Sequence, residues 1–121
     1  MRWRRASRWR SAGKGIVALI ELTEDVDDEV RDWATFSLGQ ITEEASEGVL
    51  GALRRRLGDP YENARSEAIW GLARRKDEEG VRLLKERFAS GHWFQGDEDM
   101  ALEIWGEGWK AEVGLGSEAD G

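Results

Sequence analysis

Hydrophobic residues recur at helical spacing along most of the chain, and no segment alternates with a period of two over a useful length. The clearest stripe consists of Val30, Ala34, Leu38 and Ile41, which are four, four and three residues apart. This spacing places the four side chains on one face of a helix and predicts that residues 28–41 are helical. The pattern as a whole predicts helices and no sheet.

The helical pattern repeats along the chain at a shift of 34 residues. Residues 25–38 read DVDDEVRDWATFSL and align with residues 59–72, which read DPYENARSEAIWGL. Each segment is followed by a second set of apolar positions, and these two sets also align, at a shift of 31 residues. Residues 16–19 resemble the start of that second set. Each aligned segment is a turn followed by an amphipathic helix, and Asp59 and Pro60 are placed to begin the helix of the second copy. The organisation is therefore one half-unit followed by two helix pairs.

These segments resemble HEAT repeats, particularly the short bacterial HEAT-like type that is also found in phycobilisome lyases. The first helix of that family typically opens with Asp-Pro-Asp-x-x-Val-Arg, followed by small residues and a Leu-Gly pair. The matching residues are Asp25, Asp27, Val30, Arg31, Ala34, Leu38 and Gly39 in the first copy, and Asp59, Pro60, Arg65, Ala68 and Leu72 in the second. The resemblance covers about residues 15–89, and the second copy departs from it at Tyr61 and Ala64.

The resemblance implies an all-α fold, namely a short right-handed α-solenoid of about two and a half HEAT-like helix pairs. It also implies that Arg31 and Arg65 join neighbouring turns of the solenoid through polar contacts. A single helix pair cannot bury its own apolar face, so stacked pairs share one core and the ends of the stack need caps.

The chain holds seven tryptophans in 121 residues, more than a small core needs. One interpretation is a C-terminal cap formed by Trp93, Phe94, Trp105 and Trp109. The alternative is an open end that pairs with a second chain and forms a homodimer. Trp33 aligns with an acid in the second copy, so it either packs between helices or is exposed as an interface anchor. The candidate anchors are Trp33, Trp93 and Trp105.

Charge divides the chain into three parts, which the net charge of −7 does not reveal. Residues 1–14 hold six of the eighteen Lys and Arg residues and no acid, so we expect a flexible basic arm. Residues 15–105 form the HEAT-like helical repeat domain, which ends in a short helix over residues 97–105. Residues 106–121 contain glycines and scattered acids, and we expect them to form a disordered tail.

The composition leaves little room for catalysis. The chain has no cysteine and one histidine, His92, which excludes disulfides, thiolate sites and histidine-rich metal clusters. Residues 13–15 lack the upstream glycine and the following Ser or Thr of a phosphate-binding loop, and Ser37 and Ser66 have no partner histidine at a recognisable spacing. We therefore expect no catalytic residue, no metal, no cofactor and no enzymatic activity.

Cationic residues mark the second helix of each predicted pair, the helix that usually lines the concave side in solenoids of this type. In the first pair, the inward-facing leucines leave Arg54, Arg55 and Arg56 exposed, and in the second pair Arg82 and Lys85 face outward. The functional interpretation is a locally basic groove. The plain alternative is that these cations serve helix C-termini and pair with nearby acids.

The sequence favours a non-catalytic protein-interaction module in which Arg54, Arg55, Arg82 and Lys85 contact an acidic partner on the concave face. The first alternative is a nucleic-acid-binding protein that uses the same groove and the arm MRWRRASRWR, although the acidic body opposes binding to a polyanion. The second, a bilin lyase-like subunit, rests on the resemblance alone. The longest apolar stretch near the start, residues 16–20, is too short to span a membrane, so we expect a cytoplasmic protein without a membrane partner.

Overall fold

The computed structural model describes residues 15–115, so the predicted basic arm and the end of the predicted tail lie outside the described residues. The helices are α1 (Gly15–Leu22), α2 (Asp28–Phe36), α3 (Glu47–Arg56), α4 (Glu62–Arg74), α5 (Glu78–Ser90), α6 (Gln95–Trp105) and α7 (Trp109–Glu112). A π-helical turn over Ser37–Ile41 continues α2, and a 3₁₀ turn over Gly106–Gly108 joins α6 to α7. The described residues contain no strand, which confirms the all-α prediction, and residues 28–41 are helical as predicted.

The helices form two layers. Helices α2, α4 and α6 pack side by side in chain order and form the first layer, with α4 at its centre. In the second layer, α1 packs against α2, α3 packs against both α2 and α4, and α5 packs against α4. This arrangement of stacked helix pairs confirms the predicted short solenoid. Helix α6, which was expected only as a short terminal helix, takes the place of a third first-layer helix.

The core consists of two hydrophobic clusters, one toward each end of the stack. The first contains Leu38 and Leu53 and is supplied mainly by α1, α2 with its π-helical turn, and α3. The second contains Leu84 and Phe88 and is supplied by α4, α5 and α6. Leu72 of α4 belongs to the first cluster, so α4 contributes to both and joins the two ends of the stack.

A 3₁₀ turn over Gly106–Gly108 and helix α7 lie in the first part of the segment that the sequence predicts to be a disordered tail. Trp109, Val113 and Leu115 pack against the second cluster, and the centroids of the Trp109 and Phe88 rings are 5.2 Å apart. These apolar side chains anchor a segment whose glycines and acids were the basis for predicting disorder.

Helices α2 and α4 approach each other closely where two glycines meet. A Cβ atom added to Gly39 would lie 2.9 Å from the Cα atom of Gly71, and a Cβ atom added to Gly71 would lie equally close to Gly39. Both positions therefore need glycine at this crossing. The close approach also brings Asp32 of α2 and Glu67 of α4 into one cleft.

Asp59 connects the two units, although it was predicted to cap the helix that follows. Helix α4 begins at Glu62 with Tyr61 as its N-cap, which is later than the predicted start at residue 60. Arg31 of the preceding unit donates to the Asp59 carboxylate from Nε at 2.8 Å and from Nη2 at 3.1 Å. The polar contact between turns is thus present for Arg31, whereas Arg65 donates to the carbonyl oxygen of Asp59 within its own unit at 2.7 Å.

Candidate interaction surfaces

The second layer carries the four cations that the sequence predicts as a binding site. Arg54 and Arg55 lie in the last turn of α3, and Arg82 and Lys85 lie along α5. The three arginine side chains are 52%, 53% and 54% exposed, so a partner has access to each of them.

The two cations of α3 already pair with acids of neighbouring elements. Arg54 forms an ion pair with Asp77 at the start of α5, and Arg55 donates from Nε to Oε2 of Glu24 at 2.7 Å. The Arg55–Glu24 pair is exposed on both sides and contributes roughly 0–1 kcal/mol, so a partner carboxylate can replace Glu24 at little cost. In the other pair, Arg54 is accessible but the Asp77 side chain is only 9% exposed.

The two cations of α5 also have partners. Arg82 donates from Nη2 to Glu79 at 2.9 Å and from Nη1 to Glu86 at 2.6 Å, both within the same helix. The Lys85 ammonium lies 5.4 Å from the centroid of a Trp105 ring. The interpretation that these cations pair with nearby groups therefore describes their contacts in the free protein.

A groove of about 580 Å³ runs along α5 and brings Arg82 and Lys85 together. Its lining also includes apolar Val81 and Ala89, and it does not include Arg54 or Arg55. We refer to it as the α5 groove; its lining residues are Lys76, Glu78, Val81, Arg82, Lys85, Glu86 and Ala89.

Arg56 is largely buried, which corrects the prediction that all three arginines at the end of α3 are exposed. Its side chain is 13% exposed, and Nη1 donates to Oδ2 of Asp59 at 2.7 Å. Burial alone would raise the pKa of Asp59, but the hydrogen bonds from Arg31, the Tyr61 amide and Arg56 hold it below its ordinary value. Arg56 therefore belongs to the contact between units and not to a binding surface.

The candidate anchors Trp33, Trp93 and Trp105 are all partly buried. Trp33 packs against the first hydrophobic cluster, and the other two pack against the second. The centroid of the Trp93 ring is 5.0 Å from that of Phe88, and its Nε1 donates to Glu98 at 2.8 Å. Trp93, Trp105 and Trp109 thus pack against the core at the C-terminal end of the stack, whereas Phe94, the fourth residue of the predicted cap, is 46% exposed and does not pack on this cluster.

The first layer contains a second candidate site, which the sequence did not predict. It is a cleft of about 270 Å³ between α2, α4 and the start of α6, and we call it the acidic cleft. Asp32 and Glu67 lie in it on neighbouring helices, and Trp70 and Phe94 supply aromatic walls. Its lining residues are Asp32, Glu62, Asn63, Ser66, Glu67, Trp70 and Phe94.

Each of the two central acids of the cleft has one carboxylate oxygen without a hydrogen-bond partner among residues 15–115. Oδ1 of Asp32 and Oε1 of Glu67 are hidden from solvent and accept no hydrogen bond. Among residues 15–115, no Lys or Arg forms an ion pair with either carboxylate. Burial, with the charge of Asp32 as a second cause, raises the pKa of Glu67 to about 7. Burial also raises the pKa of Asp32, and the charges of nearby acids add to that effect.

Asp97 fixes the aromatic walls of the acidic cleft. Its Oδ1 accepts hydrogen bonds from Trp70 Nε1 at 2.7 Å and from Arg87 Nη1 at 3.0 Å, and its Oδ2 accepts one from the Phe94 amide at 2.8 Å. Gly96 allows the Trp70 ring to lie against α6, because a Cβ atom there would be 2.4 Å from Cη2 of that ring. The cleft is therefore held in shape by contacts that do not involve its two central acids.

The alignment of the two sequence copies does not reveal the acidic cleft. Asp32 aligns with Ser66, and Glu67 aligns with Trp33, so the two acids occupy different positions in the two copies. They share a cleft because α2 and α4 are neighbours in the first layer. A comparison of the charges on neighbouring first helices would have identified the pair, provided that it did not require aligned positions.

Among residues 15–115, no group of three or more His, Asp or Glu side chains is arranged to hold a metal ion. No helix in the same range has the length and apolar character that crossing a membrane requires.

A family model described as HEAT repeats matches residues 16–95, which is more than half of the chain. The match does not specify the phycobilisome-lyase subtype. A comparison with curated proteins found no match, and a comparison with solved structures found none either.

Proposed function

The chain belongs to the HEAT-repeat family, and we propose that it is a non-catalytic protein-interaction module that binds an acidic partner segment along α5. HEAT repeats generally mediate protein interactions, which supports this class of function. The single observation that carries the choice of surface is the α5 groove. Val81 and Ala89 give the groove an apolar floor, and Lys76, Arg82 and Lys85 stand beside it.

An acidic, amphipathic segment complements the α5 groove in two ways. Its apolar side chains cover Val81 and Ala89, and each Å² removed from water contributes about 25 cal/mol. Its carboxylates replace Glu79 and Glu86 as acceptors for Arg82, so the guanidinium keeps its hydrogen bonds in the complex. The apolar floor supplies affinity, and the cations supply preference for acidic over neutral segments.

The cations of α3 extend this surface beyond the groove. Arg54 pairs with Asp77, the N-cap residue of α5, so its guanidinium lies beside the start of that helix. Arg55 pairs with Glu24, which follows α1. We propose that both arginines contact the part of the acidic segment that continues past the groove.

No contact on this surface favours nucleic acid over an acidic protein segment. The exposed cations are offset by nearby acids, and the chain carries a net charge of −7, which repels a phosphate backbone. The bilin lyase-like alternative still rests on the resemblance alone. Cytoplasmic residence and a homodimer also stay predictions from the sequence.

The test is a titration of the full chain with a fluorescently labelled amphipathic helical peptide that carries Glu on one face and Leu on the other. A peptide of the same sequence with Gln for Glu is the neutral comparison, and a short DNA duplex is the polyanion comparison. We expect the acidic peptide to bind with a dissociation constant on the order of 100 μM, at least fivefold tighter than the neutral peptide.

The double variant Arg82→Glu/Lys85→Glu reverses the charge of the groove, and we expect it to lose at least tenfold in affinity for the acidic peptide. The control is Lys110→Glu, which reverses one exposed cation on α7, away from the groove. Circular dichroism checks that each variant is folded. Equal binding of the acidic and neutral peptides, or tighter binding of the duplex than of the acidic peptide, would overturn the proposal.

A further inference from the structure

We propose that Lys76 is the residue by which the α5 groove selects an acidic partner, and that it pairs with one carboxylate of the partner at the start of α5. This role rests on the proposed function and adds to it where the partner segment carries its acids. Three observations support it: the backbone conformation of Lys76, its position in the lining of the groove, and a side chain that forms no ion pair with any of residues 15–115.

Lys76 has a backbone conformation that residues with a side chain rarely adopt. It follows the last turn of α4, and its φ of 61° lies in the left-handed region. Its amide donates to the carbonyl oxygen of Ala73 at 2.9 Å, and the amide of Asp77 donates to that of Leu72 at 3.0 Å. These two hydrogen bonds close the end of the helix around a left-handed residue, a position that glycine usually occupies because it has no Cβ atom.

Two other helices of the protein end on the expected glycine. Gly91 follows α5 with a φ of 84°, and Gly114 follows α7 with a φ of 85°. Among residues 15–115, Lys76 is the only residue other than glycine with a positive φ. Strained residues of this kind cluster at sites that hold ligands, and Lys76 lines the α5 groove.

The Lys76 side chain is also the cation of the groove that is most available to a partner. It is exposed, and no acid among residues 15–115 forms an ion pair with it. Arg82 already bonds to two acids of its own helix, and Lys85 lies beside an aromatic ring. A partner carboxylate at Arg82 replaces existing hydrogen bonds, whereas a carboxylate at Lys76 adds an interaction that the free protein lacks. Preference for acidic over neutral segments therefore depends most on Lys76.

The positions of the cations define the spacing of the acids on the partner. Lys76 precedes Asp77, the N-cap of α5, whereas Arg82 and Lys85 lie five and eight residues after that N-cap. At 1.5 Å per residue, they lie about 8 Å and about 12 Å along the helix axis. A carboxylate opposite Lys76 and one between the other two cations are thus about 10 Å apart, which is the separation of residues seven apart on a helix. The partner is therefore an amphipathic helix with acids at positions i and i+7.

The experiment is a fluorescence titration of the full chain with a labelled amphipathic helical peptide that carries only two Glu residues, seven positions apart on its polar face. Lys76→Gln removes the charge, and we expect it to lose at least about fivefold in affinity for this peptide. Lys76→Arg keeps the charge and should bind within about twofold of the original chain. The matched control is Lys110→Gln, which removes an exposed lysine of α7 away from the groove and should bind like the original chain.

Two further peptides test whether Lys76 pairs with one particular carboxylate. Each keeps one Glu and carries Gln in place of the other. We expect Lys76→Gln to weaken binding of one peptide at least about fivefold and to leave the other within about twofold. An equal loss for both would mean that Lys76 acts only through the general charge of the surface, which would overturn the proposal. Unchanged affinity of Lys76→Gln for the two-acid peptide would overturn it as well.

Stability separates this role from a purely structural one. Lys76→Gly relieves the left-handed strain, so we expect the midpoint of urea unfolding to rise by about 0.3 M while affinity falls as in Lys76→Gln. A lower midpoint would show that the lysine serves the end of α4, and it would overturn the proposal.

The same titrations keep failure of this role apart from failure of the α5 groove. If Arg82→Glu/Lys85→Glu loses affinity for the two-acid peptide and Lys76→Gln does not, only the role of Lys76 is rejected. If the original chain does not prefer the acidic peptide to its neutral counterpart, the groove itself is rejected.

Discussion

Four acids between the helices differ in the partners that they have. Asp59 and Asp97 are buried, and each accepts hydrogen bonds from arginine and from a backbone amide. Asp32 and Glu67 each hide one carboxylate oxygen from solvent, yet these oxygens have no partner among residues 15–115. The pKa of Asp59 is accordingly lowered by its hydrogen bonds in spite of burial, whereas burial raises the pKa of Asp32 and Glu67.

The difference separates acids that stabilise the fold from acids whose burial without donors opposes folding. A buried carboxylate with several donors stays ionised and connects the elements that supply those donors. A hidden carboxylate without donors destabilises the folded state, and a ligand that supplies them recovers that free energy. In this protein, Asp59 connects the two units and Asp97 holds the cleft walls, whereas burial of Asp32 and Glu67 costs free energy.

The largest expected effect is at Asp59, because its removal leaves Arg31 and Arg56 without their shared buried acceptor. We expect Asp59→Ala to lower the free energy of unfolding by about 3–5 kcal/mol. Urea unfolding followed by circular dichroism measures it, with the exposed Asp28→Ala as control, for which about 1 kcal/mol or less is expected. A loss at Asp59 no larger than at Asp28 would show that the contact between units does not depend on this carboxylate.

A smaller loss is expected for Asp97→Asn, which keeps the shape of the side chain and removes its charge. The variant weakens the hydrogen bond from Arg87 and can keep an acceptor for Trp70, so we expect a loss of about 2 kcal/mol. Asp99→Asn, at an exposed position of the same helix, should change the free energy of unfolding by less than about 0.5 kcal/mol. The same loss in both variants would contradict a special role for Asp97.

Removing the charge of Glu67 from the acidic cleft should raise the free energy of unfolding, and the size of this gain should depend on pH. Folded Glu67 keeps its proton up to about pH 7, whereas its ordinary pKa is 4.5, so its contribution to stability falls as the pH rises between these values. Asp32 and Glu62 are the other acids that line the cleft. We expect Glu67→Gln to match the original chain at pH 4.5 and to be about 1–2 kcal/mol more stable at pH 8, allowing for partial solvent screening.

Urea unfolding of both chains at several pH values measures this difference directly. Because groups outside the cleft titrate equally in both chains, subtracting the two profiles leaves the contribution of Glu67 together with its interaction with Asp32. Glu44→Gln, at an exposed position, should give a difference near zero at every pH. If Glu67→Gln were less stable than the original chain at pH 8, the ionised Glu67 would have a stabilising partner that the variant loses.

The fold could be predicted from the sequence because it rests on periodic positions. The stripe that begins at Val30 and its counterpart after Asp59 are both helical in the structure, and the two layers follow from stacking such units. Trp109 was a candidate for the C-terminal cap, but helix α7 and the packing of Val113 and Leu115 were not predicted, because these residues belong to no repeat and their contacts depend on the surface that α5 and α6 present.

The sites were predictable only where a property belongs to one helix. Arg82 is exposed on α5 as expected, since its inward-facing neighbours fix the orientation of that helix, whereas Lys85 is only partly exposed and its ammonium lies near Trp105. Arg56 was misplaced because its burial depends on an acid from the following loop. The pair of Asp32 and Glu67 was missed for the same reason: it depends on which residues meet across two helices, and aligned repeat positions do not record that.

The smallest expected effect lies on the second layer, where acid and cation meet in solvent. Arg82 is 54% exposed and pairs with Glu79 and Glu86 on its own helix, so we expect Arg82→Ala to change the free energy of unfolding by less than about 0.5 kcal/mol. The matched variant Arg56→Ala removes an arginine whose partner Asp59 is buried, and it should cost at least about 1.5 kcal/mol. Equal losses in the two variants would mean that burial does not separate the arginines that stabilise the fold from those available to a partner. If the difference is as expected, a loss of acidic-peptide binding in Arg82→Ala reports on the α5 groove alone, because the fold is unchanged.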